Sequence, residues 1–151
     1  MHFEGQQTIN APIGTVWAWL MDPNQVSPCA PGYRGIEVLE PNHFKPTVAA
    51  GVGPVKATFT LDVRLVDLQA PHHAAMTARG VAAGSAVDAQ SIMDLTAESE
   101  SSTAMTWTMD VTVSGTIASV GARLLDGTAR KLTAKFFDCV REQLEAAVDA
   151  A

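Results

Sequence analysis

The sequence has little charge, few aromatic side chains and almost no cysteine. Charged residues make up 17% and aromatic residues 6% of the 151 residues, whereas hydrophobic residues make up 47%. This balance excludes a disordered chain, because disordered segments are rich in charge and poor in apolar side chains. No apolar run approaches the roughly 20 residues of a membrane-spanning helix. We therefore expect one soluble globular domain over residues 1–151, long enough to enclose a core or a cavity.

Positive charge is scarce as well. The formal net charge is -6, which argues against nucleic acid as the main partner, because phosphate binding requires a basic surface. Residues 2–5 are neither basic nor continuously apolar, so they do not resemble a signal peptide. We expect a cytoplasmic protein that binds no nucleic acid.

The two cysteines, Cys29 and Cys139, lack the spacing of a metal site. Since disulfides are rare in reducing compartments, we expect two free thiols. Cys29 stands in a loop between two prolines, where a reactive thiolate would need positive charge nearby, and only Arg34 offers it. We therefore favour burial of Cys29 over a nucleophilic role, and we place Cys139 in the core.

Alternation of apolar and polar residues is the strongest pattern that the sequence does contain. Residues 33–114 consist of short segments with a period of two, separated by turn residues, as in an antiparallel sheet. A weakly alternating strand over residues 2–10 and one or two short helices precede them. Residues 115–150 place apolar side chains three and four positions apart without a proline, which predicts one long helix.

The order of these elements predicts an α+β fold. Strands that follow one another, with helices kept apart from them, indicate an antiparallel sheet covered by helices on one face. We predict a helix-grip arrangement: a curved antiparallel sheet of about seven strands wrapped around the long C-terminal helix, with one or two short helices after the first strand. No internal repeat or linker divides the chain.

Many residues at turns and in the expected core resemble those of one known family. They are Ala11-Pro12, Val16-Trp17, Leu20, Asp22-Pro23, Cys29, Pro31-Gly32, Gly51, Gly53-Pro54, Phe59, Thr103, Trp107, Val111, Val113, Gly115, Ile117-Ala118, Gly121 and Arg123-Leu124-Leu125. Over nearly the whole chain they resemble the carbon monoxide dehydrogenase CoxG family, within the SRPBCC (START-like) superfamily.

The resemblance implies a single START-like ligand-binding domain with a deep apolar cavity between the sheet and the long helix. It also implies a lipophilic ligand, quinone- or lipid-like, and an accessory role beside a molybdenum-containing hydroxylase of the carbon monoxide dehydrogenase type. Some family members add a linker and a C-terminal membrane anchor, and no such segment follows here. We therefore expect either transient contact, peripheral to the inner face of the membrane, or a purely soluble role.

The inward-facing residues of the strands and the facing side of the helix would line such a cavity. Four of the six methionines fall on the inward parity, and flexible thioethers adapt to irregular apolar guests. An ordinary packed core is the alternative interpretation. We predict a ligand-binding cavity lined by Phe59, Leu61, Val63, Met76, Ala78, Ala89, Ser91, Met93, Met105, Trp107, Met109, Gly121, Leu124, Leu125 and Thr128.

Catalysis would need an inward-pointing acid, base or nucleophile with an orienting partner. The acidic residues of the strands, such as Asp62, fall on the outward parity instead. His72 and His73 are adjacent and would point to opposite faces, so they cannot share a metal ion. Gln7 and Ser91 are the nearest inward polar residues, and they suit ligand orientation better than proton transfer. We predict no catalytic residue, no metal and no cofactor.

Two other functions remain open at this point. One is an enzyme of the same superfamily that uses the cavity for cyclase, lyase or hydrolase chemistry. The other is a scaffold whose cavity is filled by side chains and whose surface alone matters.

Basic residues gather in the first two thirds of the long helix, at Arg123, Arg130, Lys131 and Lys135. The commoner interpretation is a solvated face that carries ion pairs to nearby aspartates. The alternative is a docking surface for an anionic membrane or an acidic partner, and such binding would fall steeply with salt.

The apolar face of the long helix drifts along its length. The first half, with Gly121 on its apolar face, is predicted to form the cavity wall, the glycine giving close backbone approach or room for a ligand. Gly127 is a weak point between the halves. The second half is predicted to anchor the core, with Phe137 or Leu144 left for a partner.

Overall fold

The computed structural model describes residues 1–149, which form a seven-stranded sheet and one long helix preceded by shorter ones. The strands are β1 His2–Ile9, β2 Tyr33–Glu40, β3 His43–Val52, β4 Val55–Gln69, β5 His73–Ala82, β6 Ser85–Ser99 and β7 Ser102–Gly115. The helices are α1 Ile13–Leu20, α2 Pro23–Val26 and α3 Ala122–Asp149, with 3-10 helices at Ser27–Cys29 and Thr116–Val120.

The sheet has the strand order β1-β7-β6-β5-β4-β3-β2, and every neighbouring pair is antiparallel. Strands β2 to β7 are joined by short turns, so each lies beside its predecessor. β1 instead pairs with β7, from His2 opposite Asp110 to Ile9 opposite Thr103. The short helices therefore carry the chain from one edge of the sheet to the other. The predicted α+β helix-grip fold is confirmed.

The short helices begin where proline and a capping side chain allow it. Pro12 precedes the first turn of α1, and its fixed φ suits that position. The Asp22 carboxylate accepts a hydrogen bond from the Asn24 N–H at 3.0 Å and caps α2, with Pro23 in its first turn. Asn10, in contrast, does not cap α1, and its backbone N–H donates to Glu145 of α3 at 3.1 Å.

The long helix does not start where the periodicity predicted. The chain forms a 3-10 helix over Thr116–Val120, and α3 begins only at Ala122. Gly121 between them has φ +99°, which a continuous helix of L-residues cannot contain. The prediction of one helix over residues 115–150 is therefore wrong at its start, and its last residue, Ala150, lies outside the described residues.

Cys29 and Cys139 form a disulfide, with their Cα atoms 5.4 Å apart, so the prediction of two free thiols is wrong. The fold lays the 3-10 helix Ser27–Cys29 against the second half of α3, and this brings together two cysteines that are 110 residues apart in sequence. Cys29 is only 5% exposed, in agreement with its expected burial. Cys139 packs against the hydrophobic cluster that contains Cys29.

The hydrophobic core consists of two separate clusters. The large cluster joins β1, α1 and the second half of α3, and its buried members are Ile9, Ala11, Val16, Trp19, Cys29, Leu95, Met105, Phe137, Val140 and Leu144. The small cluster lies near the start of α3, and its buried members are Val52, Phe59 and Ile117.

The buried residues of α3 all lie in its second half, as expected for a core anchor. Phe137 and Leu144 are only 9% and 0% exposed. Because both side chains are buried in the large cluster, the prediction that one of them is left for a partner is wrong.

Candidate ligand-binding site

One face of the sheet meets α3, and contacts from the helix identify it. The Trp107 ring of β7 stacks on Phe137 of α3 with ring centroids 5.0 Å apart. The Arg130 guanidinium of α3 lies over the Phe3 ring of β1, 5.2 Å from its centroid. Since side chains alternate along a strand, the inner face of β4, β6 and β7 carries the odd-numbered residues, as the sequence pattern predicted.

Between the two core clusters lies a region of the inner face that belongs to neither. We call it the central zone, formed on the sheet by Met76, Ala78, Ala89, Ser91, Met109 and Val111. Thr128 of α3, which was predicted to face the sheet here, is half-buried. The strand register makes the sheet part continuous: Ala78 lies opposite Ala89, which lies opposite Val111, and Met76 lies opposite Ser91, which lies opposite Met109.

The side chains of the central zone are only half-buried, although they point from the middle of the sheet towards the helix. Three of the six sheet positions carry the short side chains of alanine or serine. The central zone thus keeps partly accessible side chains between two clusters whose central members are buried.

The other residues predicted to line a cavity on the strands and at Leu125 lie around the central zone. Phe59, Leu61 and Leu125 belong to the small cluster or pack against it. Met93, Met105 and Trp107 stand in the same relation to the large cluster. Val63 is 4% exposed on the inner face of β4.

Two of the predicted wall residues have a different place. Leu124 is 42% exposed, and its side chain lies against Gly53 in the β3–β4 turn. Gly121 precedes α3, and a Cβ atom there would meet nothing within 4 Å. The glycine is therefore required by its positive φ and not by a close approach of another backbone.

Three polar groups occupy the inner face near the central zone. The Ser91 hydroxyl donates to the Thr108 carbonyl oxygen at 3.0 Å, so its proton is already used. Gln7 is half-buried on β1. Trp107 Nε1 is buried and has no hydrogen-bond partner among the described residues. The sequence analysis treated Trp107 only as an apolar wall and missed this donor.

Several acidic side chains of the strands lie on the outer face and pair there with histidine or arginine. His43 contacts Asp62 at 3.0 Å, and Arg79 donates twice to Asp88. These contacts fit the predicted solvated face. Among the described residues, no group of three or more potential ligands could hold a metal ion.

The hydrogen bond that the His73 ring donates to the Asp94 carboxylate raises the pKa of His73 above its ordinary value of 6.5. The pKa of His2 is raised in the same way, chiefly by its hydrogen bond to Asp110 and then by that to Glu4.

Two depressions of about 320 Å³ and 330 Å³ lie on the surface, away from the central zone's inner side. The first runs between β1 and the second half of α3 and is lined mainly by charged residues. The second lies on the outer face of β4 to β6, where Ala78 and Ala89 contribute only to its floor beside charged neighbours. Most of the residues that line them are charged or polar.

The basic residues of α3 differ in their surroundings. Arg130 is held by Asp126, with Nε and Oδ2 2.8 Å apart, and by the Phe3 ring. For this residue the structure supports the ion-paired interpretation. Arg123, Lys131 and Lys135 are exposed.

The fold and the arrangement of the inner face define the class of protein, a START-like domain of the helix-grip type. A START superfamily protein from Mycobacterium smegmatis superposes with a TM-score of 0.70 at 12% identity, covering 97% of this chain and 98% of that one. The Zhui aromatase/cyclase from Streptomyces sp. R1128 gives 0.71 at 17% identity, covering 98% and 95%. At such identities the likeness establishes the fold alone.

The family follows from the sequence itself. The model for CoxG, a family named for a subunit of carbon monoxide dehydrogenase, matches residues 5–145, so the chain belongs to that family. A conserved protein from Geobacillus kaustophilus has a TM-score of 0.89 at 26% identity and covers 97% of each chain. No curated protein matches the chain. Family and fold together support a ligand-binding domain of the cavity type. Among the described residues, no helix is long and apolar enough to span a membrane.

Proposed function

We propose that the protein binds a lipophilic small molecule, quinone- or lipid-like, between the inner face of the sheet and the first half of α3. The observation that carries the proposal is the central zone. Apolar side chains there point inward and yet remain half-buried, while the clusters on either side are packed. Apolar surface in such a position gains free energy when a guest covers it.

The chemistry of the central zone fits an apolar guest of variable shape. Met76 and Met109 are unbranched and flexible, and Met93 and Met105 lie at the edge of the zone, so the wall can adjust to a ligand. No ionised side chain of β4 to β7 points into it, because the acidic residues of these strands face outward. These strands therefore supply no counter-ion to a charged ligand, and Arg130 of α3, which lies over Phe3, is already paired with Asp126.

Binding without catalysis is the function that these groups support best. Proton transfer needs a titratable side chain at hydrogen-bond distance from the reacting atom. The polar groups described on the inner face near the central zone, Gln7, Ser91 and Trp107, have no pKa near neutrality. They can orient a ligand.

We further propose that the protein serves a molybdenum-containing hydroxylase of the carbon monoxide dehydrogenase type, in the cytoplasm and in transient contact with the inner face of the membrane. Family membership supports the enzyme partner.

The exposed Arg123, Lys131 and Lys135 supply a docking surface for anionic lipid. Binding to phosphatidylglycerol vesicles that did not weaken with rising salt would contradict this use of the basic residues.

Ligand binding is tested by mass and by stability. Native mass spectrometry after gentle extraction should show the protein with an apolar molecule bound. Added quinone, at about 100 times its Kd, should raise the melting temperature by about 5–10 °C. Absence of any bound molecule, together with an unchanged melting temperature in quinones and fatty acids, would contradict the proposal.

A matched pair of substitutions locates the site. Ala89→Trp fills the central zone and should abolish binding while the protein stays folded. Ala86→Trp places the same side chain on the outer face of the same strand and should leave binding unchanged. Equal affinities of the two folded variants would place the ligand elsewhere.

A further inference from the structure

The indole N–H of Trp107 is a strong hydrogen-bond donor without an acceptor. The Nε1 atom is buried and has no partner among the described residues. Buried donors are almost always satisfied in folded proteins, because leaving one unpaired loses the hydrogen bond that water would supply. An unpaired buried donor beside a candidate ligand site therefore calls for a reason.

The ring is held firmly from two sides. Trp107 lies opposite Gly5 of β1, and a Cβ atom on Gly5 would be 2.8 Å from Cζ2 and 3.2 Å from Nε1 of the indole. The absence of a side chain at Gly5 therefore lets the ring lie close over β1. From the helix side, Phe137 stacks on the indole at an interplanar angle of 26°. The indole N–H bond lies in the plane of the ring, whereas Phe137 covers one face of the ring. The stacking therefore gives the N–H group no acceptor.

The Nε1 edge of the indole lies over Gly5 of β1, and flexible side chains lie beside Trp107 on β6 and β7. Met93 lies opposite Trp107 on β6, and Met105 and Met109 flank it on the inner face of β7. Thioether sulfur is only a weak acceptor, but these side chains can move aside with little loss of packing. The Ser91 hydroxyl, the nearest inner hydroxyl on β6, already donates to the Thr108 carbonyl oxygen.

We propose that Trp107 Nε1 donates a hydrogen bond to an oxygen atom of the bound ligand, and this inference rests on the proposed function. It narrows the ligand to an apolar molecule that carries an uncharged acceptor oxygen, such as the carbonyl of a ketone or quinone. A pure hydrocarbon leaves the donor unpaired. A carboxylate would satisfy the donor but would bring a charge into a zone to which β4 to β7 supply no counter-ion and beside which Arg130 is already paired with Asp126.

The test compares two probes with the same ring system, 2-methyl-1,4-naphthoquinone and 2-methylnaphthalene. Wild-type protein should prefer the quinone, and Trp107→Phe should lower its affinity for the quinone by about fivefold to tenfold, the usual effect of one lost hydrogen bond. The affinity of this variant for 2-methylnaphthalene should differ from that of the wild-type protein by less than about twofold, because phenylalanine keeps the stack on Phe137. Trp17→Phe, on α1, serves as the matched control and should change neither affinity.

A second measurement does not depend on the folding of a variant. The three tryptophans give three indole N–H signals in a nitrogen-15 proton correlation spectrum of the wild-type protein. Quinone should shift the Trp107 proton signal downfield, as a new hydrogen bond requires, and 2-methylnaphthalene should not.

The outcomes separate the two proposals. Trp107→Phe could change the affinity for both probes equally, and the Trp107 signal could stay unmoved in the quinone complex. Together these two results would overturn the donor role and leave ligand binding intact. A signal already at a hydrogen-bonded position without ligand would assign the donor to water and overturn it too. Failure of both probes to bind wild-type protein would reject the proposed function along with the inference.

Discussion

His73 shows how a single residue on the outer face responds to its position in the sheet. Its Nδ1 atom lies 2.7 Å from Asp94 of the adjacent strand, and its Nε2 atom lies 3.2 Å from Asp67. The hydrogen bond to Asp94 is the main cause of the raised pKa. The charged imidazole is thus favoured in the folded protein.

The raised pKa predicts a pH dependence of stability. Since the folded-state pKa exceeds the unfolded value of 6.5, the contribution of His73 is complete below that pH and is lost as the pH rises through the folded-state pKa. Proton NMR titration should find the pKa of His73 above 6.5, and Asp94→Asn should lower it. His73→Gln should remove the part of the pH dependence that comes from His73. His2→Gln measures the part that comes from the other histidine with a raised pKa. A His73 titration unaffected by Asp94→Asn would contradict the assigned cause.

Single positions were predictable from the sequence when alternation alone decides them. The inward position of Phe59, Leu95 and Met105 follows from a period of two. The unpaired donor of Trp107 does not, because it depends on the register that sets this residue opposite Gly5. Register between the first and last strands is a long-range property that no local pattern contains.

At the scale of elements, α3 illustrates what periodicity can and cannot predict. Its apolar spacing identified the helix and its core-facing second half. The break at Gly121 was missed, because a glycine is tolerated within a helix and only the backbone angle distinguishes the two situations. Gly121 has φ +99°, whereas Gly127 lies within the helix.

These two glycines form a matched pair for a stability measurement. A Cβ atom would meet nothing within 4 Å at either position, so only the backbone conformation differs. Gly127→Ala should raise the free energy of unfolding by about 0.5–1 kcal/mol through helix propensity. Gly121→Ala should lower it by about 1–3 kcal/mol, because alanine is strained at that φ. Urea unfolding gives both values, and a stabilising Gly121→Ala would show that α3 continues through residue 121 in solution.

At the scale of the whole molecule, the divided core and the disulfide are properties that only the assembled fold shows. The expectation of free thiols came from an assumed compartment, whereas the pairing depends on how the chain crosses from β1 to β2 and returns in α3. Alternation indicates which strand residues face the helix, whereas the division of the core into two clusters depends on the volumes of residues far apart in sequence.

The disulfide allows a last prediction about the molecule as a whole. It closes a loop of 110 residues that includes β2 to β7 and most of α3. A cross-link of this span restricts the unfolded chain strongly, so Cys29→Ser with Cys139→Ser should lower the free energy of unfolding by about 2–5 kcal/mol. In reductant, the free energy of unfolding of the wild-type protein should approach that of the variant, since its two thiols then leave the unfolded chain equally free.

Peptide mapping without reduction should recover Cys29 and Cys139 in one linked fragment. Two separate, alkylatable thiols in the native protein, with equal stability of variant and wild type, would show that these cysteines lie side by side in the large cluster without a bond. The second half of α3 would then be anchored by Phe137, Val140 and Leu144 alone.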